Sequence, residues 1–167
     1  MKTKLTKEIE YSLIKKYCAG SFNDNYGALE VPVDYTLGKG KQNIDFALYK
    51  ANKQDISCFE IKVTKSDFNS KASLSFVGNY NYLVVSNNLG QYLKQNWHNQ
   101  EERSSWTHPD IPLHGIGVIV YQDGQLKPLI KAKRHEIHLQ QKIALIEGIL
   151  RASSRDAIKS YLNHENL

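Results

Sequence analysis

Three side chains in this chain are of the right types, at the right spacing, to do chemistry together: Asp45, and the pair Glu60 and Lys62 in Cys58-Phe59-Glu60-Ile61-Lys62-Val63. Phe59, Ile61 and Val63 alternate with Cys58, Glu60 and Lys62, the pattern of a strand whose odd-numbered side chains enter a core. In residues 43–49, Ile44, Phe46 and Leu48 face one way and Asp45, Ala47 and Tyr49 the other. A hairpin centred between Asn52 and Lys53 puts both apolar sets on one face and sets Asp45 directly across from Glu60. Opposed residues in such a pair have Cβ atoms about 4.5–5.5 Å apart. Two carboxylates at that range repel, and in a half-buried site one pKa rises strongly unless a cation intervenes. A divalent metal would remove that penalty: Mg²⁺ binds one or two carboxylates and completes its shell with water and phosphate oxygens. Lys62 lies about 6.6–6.8 Å further along the same face, within reach of a metal-bound water or a phosphate oxygen. Together the three can hold a metal, position water and offset developing charge. The competing reading of the same residues is a solvated strand face carrying a Glu–Lys pair.

These residues need a sheet to hold them. Leu5, Ile9, Leu13 and Tyr17 recur at i, i+4 and predict an amphipathic first helix capped by Thr6. Residues 28–37 read as an extended segment, with Pro32 marking an edge position. The two strands above follow. A short helix capped by Ser66 or Asp67 then precedes residues 80–86, the most strand-like run in the chain. A helix over 89–97, a polar loop over 98–115 and a hairpin around Asp123-Gly124 complete the sheet. From His135 onward the chain reads as helical, with Ile137, Ile143, Ile146, Ile149 and Leu150 as its apolar stripe and 152–156 breaking it in two. The fold class is therefore α/β, a mixed sheet flanked by helices with a C-terminal helix.

Length and composition agree. A chain of 167 residues, 41% hydrophobic, suits a single domain, 1–167, with a real core. No apolar run approaches a membrane span, and the N-terminus has no apolar signal core, so a cytoplasmic protein without a membrane partner is expected. Cys18 and Cys58 form no CxxC pair and read as reduced structural thiols. The net charge of +5 fits a polyanionic partner such as nucleic acid, although Lys127, Lys131, Lys133, Arg134 and His135 are the nearest approach to a basic block. His98, His108 and His114 lack partnered cysteines and make a poor zinc signature.

The assembled pattern, an acid on one strand and acid-x-Lys on the next, resembles the PD-(D/E)XK nuclease superfamily. Residues 60–68 and 76–86 are similar more specifically to a small branch of phage-type and MmcB-like members, as are residues 150–156 in the C-terminal helix. The resemblance covers most of the chain, and the acid-x-Lys pair alone would be weak ground for it. It implies a restriction-endonuclease-like sheet with an α-β-β-β-α-β core. It also implies hydrolysis of DNA phosphodiester bonds with Mg²⁺ or Mn²⁺ as cofactor, in DNA repair, recombination or phage and mobile-element biology. Asp45 and Glu60 would hold the metal with the backbone carbonyl of Ile61, and Lys62 would act on the attacking water. The superfamily often adds a Glu from the first helix; Glu10 lies nearer the apolar stripe than Glu8 and is the candidate. Position 44 is Ile where the pattern often has Pro. Many nucleases of this kind cut as homodimers. The alternative is a module that keeps the fold without catalysis and binds nucleic acid or a protein partner.

Four residues are candidates for contact with DNA. Lys65 and Ser66 follow the motif where a strand meets a helix, and backbone N–H groups there suit a phosphate. Lys71 could reach a backbone phosphate, and Tyr80 could stack on a base. Helix capping and core packing are the ordinary uses of the same residue types.

Overall fold

The computed structural model describes residues 2–20, 24–33, 42–70, 75–97 and 114–164. Its elements are α1 (Lys4–Tyr17), β1 (Asn25–Val33), β2 (Gln42–Lys50), β3 (Asp55–Lys62), α2 (Lys65–Phe68), β4 (Tyr80–Ser86), α3 (Asn87–Trp97), β5 (Gly117–Gln122), β6 (Gln125–Ile130) and α4 (Leu139–His164). The six strands form one mixed sheet in sequence order. β1, β2 and β3 are antiparallel neighbours, β3, β4 and β5 run parallel, and β6 returns antiparallel. β1, with its Pro32, is an edge strand, as a residue lacking a backbone donor requires.

The β2–β3 turn has the predicted register: Phe46 pairs with Phe59 and Ala47 with Cys58. β3 is buried on both faces along its whole length, because helices cover each side. On one face Ile9 and Leu13 of α1 pack on Phe46, Leu48, Phe59 and Ile61. There Phe59 stacks on Tyr82 at 4.9 Å and tilts against Phe46 and Tyr17, each at 5.4 Å, which accounts for two of the tyrosines in this Tyr-rich chain. On the other face Leu145, Ile149 and Ala152 of α4 cover Ile56 and Cys58, while Leu89 and Leu93 of α3 cover Leu83 and Val85. Cys18 and Cys58 are both free thiols.

Several local expectations are corrected. Thr3, not Thr6, caps α1, its hydroxyl accepting from Thr6 N. Thr64, not Ser66 or Asp67, caps the short α2, accepting from Asp67 N at 3.1 Å. Residues 135–138 are not helical: Asn79 accepts from His135 N at 2.7 Å through its backbone and donates to His135 O at 3.0 Å through its side chain, tying the segment to the residue that precedes β4. α4 runs unbroken through 152–156 because Ala152 is buried and Arg155 is tied to β1. Leu145, Ile149 and Ala152 form its buried face, with Ile146 beside them, whereas Ile143 and Leu150 point outward. Ile44 joins the α4 core rather than the face of Phe46, so the alternation of β2 breaks at Asp45.

Candidate functional site

The break at Asp45 builds the site. β2 and β3 pair only as far as Phe46 and Phe59. β3 continues beside β4 as far as Lys62 opposite Val85, so the two strands of the hairpin part where Asp45 and Glu60 begin. The parting frees the Ile61 N–H, and Asp45 Oδ2 accepts from it at 2.7 Å. A side chain thus replaces a lost ladder bond, as a buried backbone donor demands. The N–H and C=O of a strand residue leave on the same edge. The Ile61 carbonyl therefore opens into the same gap.

Glu60 is 5% exposed and sits on the α4 side of the sheet, beside Cys58. Its Oε1 accepts from Ser75 N at 3.1 Å. Lys62, 8% exposed, lies two residues on along the same face, with its Nζ 3.4 Å from Asp67 Oδ1. Thr64 and Asp67 form the turn that follows β3, so one short segment caps α2 and steadies Lys62.

The electrostatics are those of carboxylates short of counter-charge. Burial pushes the Glu60 carboxyl up to about 8, the negative charge of Asp45 pushes the same way, and Ser75 and Lys62 only partly oppose them. Burial also raises Asp45; the Ile61 N–H lowers it, Glu30 raises it, and Lys2 and Lys62 lower it. The Cys58 thiol is pushed up to about 12, first by burial and then by Glu60. At neutral pH Glu60 therefore holds its proton unless a cation takes its place.

Of the predicted residues, Asp45, Glu60, Ile61 and Lys62 come together. Glu10 does turn inward, at 7% exposed, while Glu8 stays at the surface beside Lys4. Yet α1 covers the sheet face opposite Glu60, and the Glu10 carboxylate is paired with Lys2, so it joins the site at one remove. Lys65 and Ser66 are exposed at the mouth, the Lys65 ammonium 3.6 Å above the Tyr92 ring. At the start of α2 Thr64 occupies the Asp67 N–H, and the Asp67 carboxylate adds negative charge there. Tyr80 shares the face of Tyr82 and Phe59, the opposite face from Glu60. Lys71 lies outside the described residues. Two participants were not foreseen, Lys2 and Glu30. Lys2 Nζ pairs with both Glu10 and Glu30, and Glu30 stands at φ 50° in β1. A non-glycine residue there leaves no mark in sequence, since Asn or Gly is the usual signal for that conformation.

Among the described residues no three His, Cys, Asp or Glu side chains already converge as a metal cage. Asp45 and Glu60 nonetheless fit Mg²⁺ or Mn²⁺: they are two oxygen donors, Glu60 buried and Asp45 half-buried, each anchored by a backbone N–H and both destabilised as anions. Sites of that kind draw their other ligands from water and substrate.

No family model matches the chain, and no curated protein matches it. A solved structure does: SPO1766, a protein of unknown function from Silicibacter pomeroyi, aligns over 86% of this chain and 84% of its own, with a TM-score of 0.59 and 12% identity. The two chains share a fold, a mixed α/β sheet with flanking helices. Among the described residues no helix is long and apolar enough to cross a membrane.

Proposed function

We propose that this chain is a nuclease that hydrolyses DNA phosphodiester bonds with Mg²⁺ or Mn²⁺, on a restriction-endonuclease-like fold. The element order α1-β1-β2-β3-α2-β4 supports this reading, since it runs in the same sequence as the α-β-β-β-α-β core that the resemblance implies. One observation carries the reading: Asp45 and Glu60 meet where β2 and β3 part, with Lys62 beside them, and burial makes both carboxyls reluctant anions. A pair kept in that state without a ligand is a standing cost to folding, and perturbed carboxyls of this kind cluster at functional sites.

Asp45, Glu60 and the Ile61 carbonyl would hold the cation. Bound there, it would polarise a phosphate oxygen and lower the pKa of water. Asp45 stays oriented by the Ile61 N–H and Glu60 by Ser75, so neither needs to reorganise as charge develops. The Lys62 ammonium, held by one long contact to Asp67, is free to shift to a water or a phosphate oxygen. Lys65 at the mouth is placed to meet the nucleic-acid backbone, as the net charge of +5 favours.

The test is cleavage of single-stranded, duplex and branched DNA with Mg²⁺ or Mn²⁺, comparing the wild type with Glu60→Ala and Lys62→Ala. Metal-dependent cutting by the wild type and its loss in both variants is expected. Binding without cutting on every substrate would instead support a nuclease-fold binding module.

A further inference from the structure

We propose that Arg155, on α4, is a positioning residue for Asp45, acting through the backbone of Glu30. The proposal takes from the nuclease reading only what Asp45 does; how Asp45 is held is argued from geometry alone.

β1 and β2 keep one register on both sides of a single skipped step: Leu29 pairs with Phe46, and Val31 with Ile44. Glu30 and Asp45 are the residues left between. No residue is inserted, so this is not a bulge; the peptide turns over in place, with Glu30 at φ 50°. Both strands change face there. In β1 Ala28 packs on the α4 core, and so do Val31 and Val33, where simple alternation would put residues 30 and 32. In β2 Ile44 and Ala47 join that core, while Phe46 and Leu48 join the opposite one. Asp45, at the switch, enters the gap between β2 and β3 and takes the Ile61 N–H.

Something must hold Glu30 in a conformation that L residues with long side chains avoid. The Arg155 guanidinium does so. Its Nη2 donates to Leu29 O at 3.1 Å and its Nη1 to Glu30 O at 3.4 Å, so one planar fork grips the two carbonyls that flank the turned-over peptide. Nε donates to Asp156 Oδ1 at 2.9 Å and sets the fork's orientation. α4 is itself fixed against β1, because at Gly148, two helical turns earlier, an added Cβ would lie 2.7 Å from Pro32 O. The chain of effect runs from Arg155 to the Glu30 backbone, to the face switch in β1 and β2, to the Asp45 carboxyl on Ile61.

The experiment is amide hydrogen exchange on the metal-free full chain, comparing wild type, Arg155→Ala, Arg155→Lys, Glu30→Gly and the double variant Glu30→Gly/Arg155→Ala. Arg155→Ala is expected to speed Ile61 N–H exchange roughly tenfold while Val84, in the same sheet, is unmoved. Arg155→Lys gives a partial effect, because an ammonium cannot fork across two carbonyls. Glycine adopts the left-handed conformation unaided, so Arg155→Ala adds little in the Glu30→Gly background. An unmoved Ile61 in Arg155→Ala, or equal acceleration of Ile61 and Val84, would overturn the proposal. Absence of cleavage by the wild type would overturn the nuclease reading and leave this result standing.

Discussion

Replacing Glu60 by Gln should stabilise this protein at alkaline pH, and the size of the effect follows from the site. Glu60 is buried, and its carboxyl titrates at about 8 against an ordinary 4.5. Between those values the unfolded chain has released the proton and the folded chain still holds it, so the folded state binds more protons and stability falls as pH rises. The loss begins near pH 4.5, grows to about pH 8 and then levels off. Integrated from pH 5 to pH 8 for a shift of this size, it amounts to about 3 kcal/mol. The side-chain amide introduced by Glu60→Gln is neutral throughout and can still accept from Ser75 N, so the substitution removes this loss without opening a cavity. Asp45 is shifted in the same direction, but it is present in both proteins and its contribution largely cancels in the difference. Denaturant unfolding of both proteins across pH 5–8 without divalent ions is the assay. Near-equal stabilities at pH 5 and an advantage for Glu60→Gln of about 3 kcal/mol at pH 8 are expected. Saturating Mn²⁺ at pH 8 should raise the wild type alone. Parallel curves for the two proteins would refute the reasoning, since Glu60 would then titrate as an ordinary surface carboxylate.

Lys62→Ala should lower kcat by about 10²–10³-fold, the usual cost of removing one aimed donor, while Mn²⁺ affinity does not fall; a matching loss of Mn²⁺ binding would make Lys62 structural. Lys2→Ala removes a cation that competes for the same negative charge, so Mn²⁺ should bind more tightly, by about 0.2–1 kcal/mol or up to fivefold in Kd for a half-buried side chain still screened by solvent, and calorimetric titration reads it. Gly78→Ala places a Cβ 2.8 Å from both Cys58 Sγ and Ile56 O and should cost about 1–3 kcal/mol in thermal or denaturant unfolding.

The parts of the fold that local pattern controls were legible in the sequence. Alternation located β3, a run rich in Tyr and Val located β4, and a consistent apolar face was enough to fix the β2–β3 register that brings Asp45 toward Glu60. The inward turn of Glu10 followed from the stripe of α1. What was not legible depends on tertiary contact. Asn79 ties down 135–138 outside the helix although the pattern there reads as helical, and Arg155 carries α4 through a Ser pair that would otherwise favour a break. Tyr80 reads as a contact residue because periodicity shows that two tyrosines share a face but not which face the site will use. Lys2 and Glu30 are ordinary charged residues in sequence, and only the fold brings the first beside the second at the turned-over step of β1.

The central claim is that Asp45 and Glu60 share a divalent cation. An anomalous-difference map from a crystal soaked in Mn²⁺ tests it directly. A peak bonded to carboxylate oxygens of both residues is predicted, and it should vanish in Glu60→Gln. A well-ordered map with no peak between them, or with Mn²⁺ bound only elsewhere, would contradict the account.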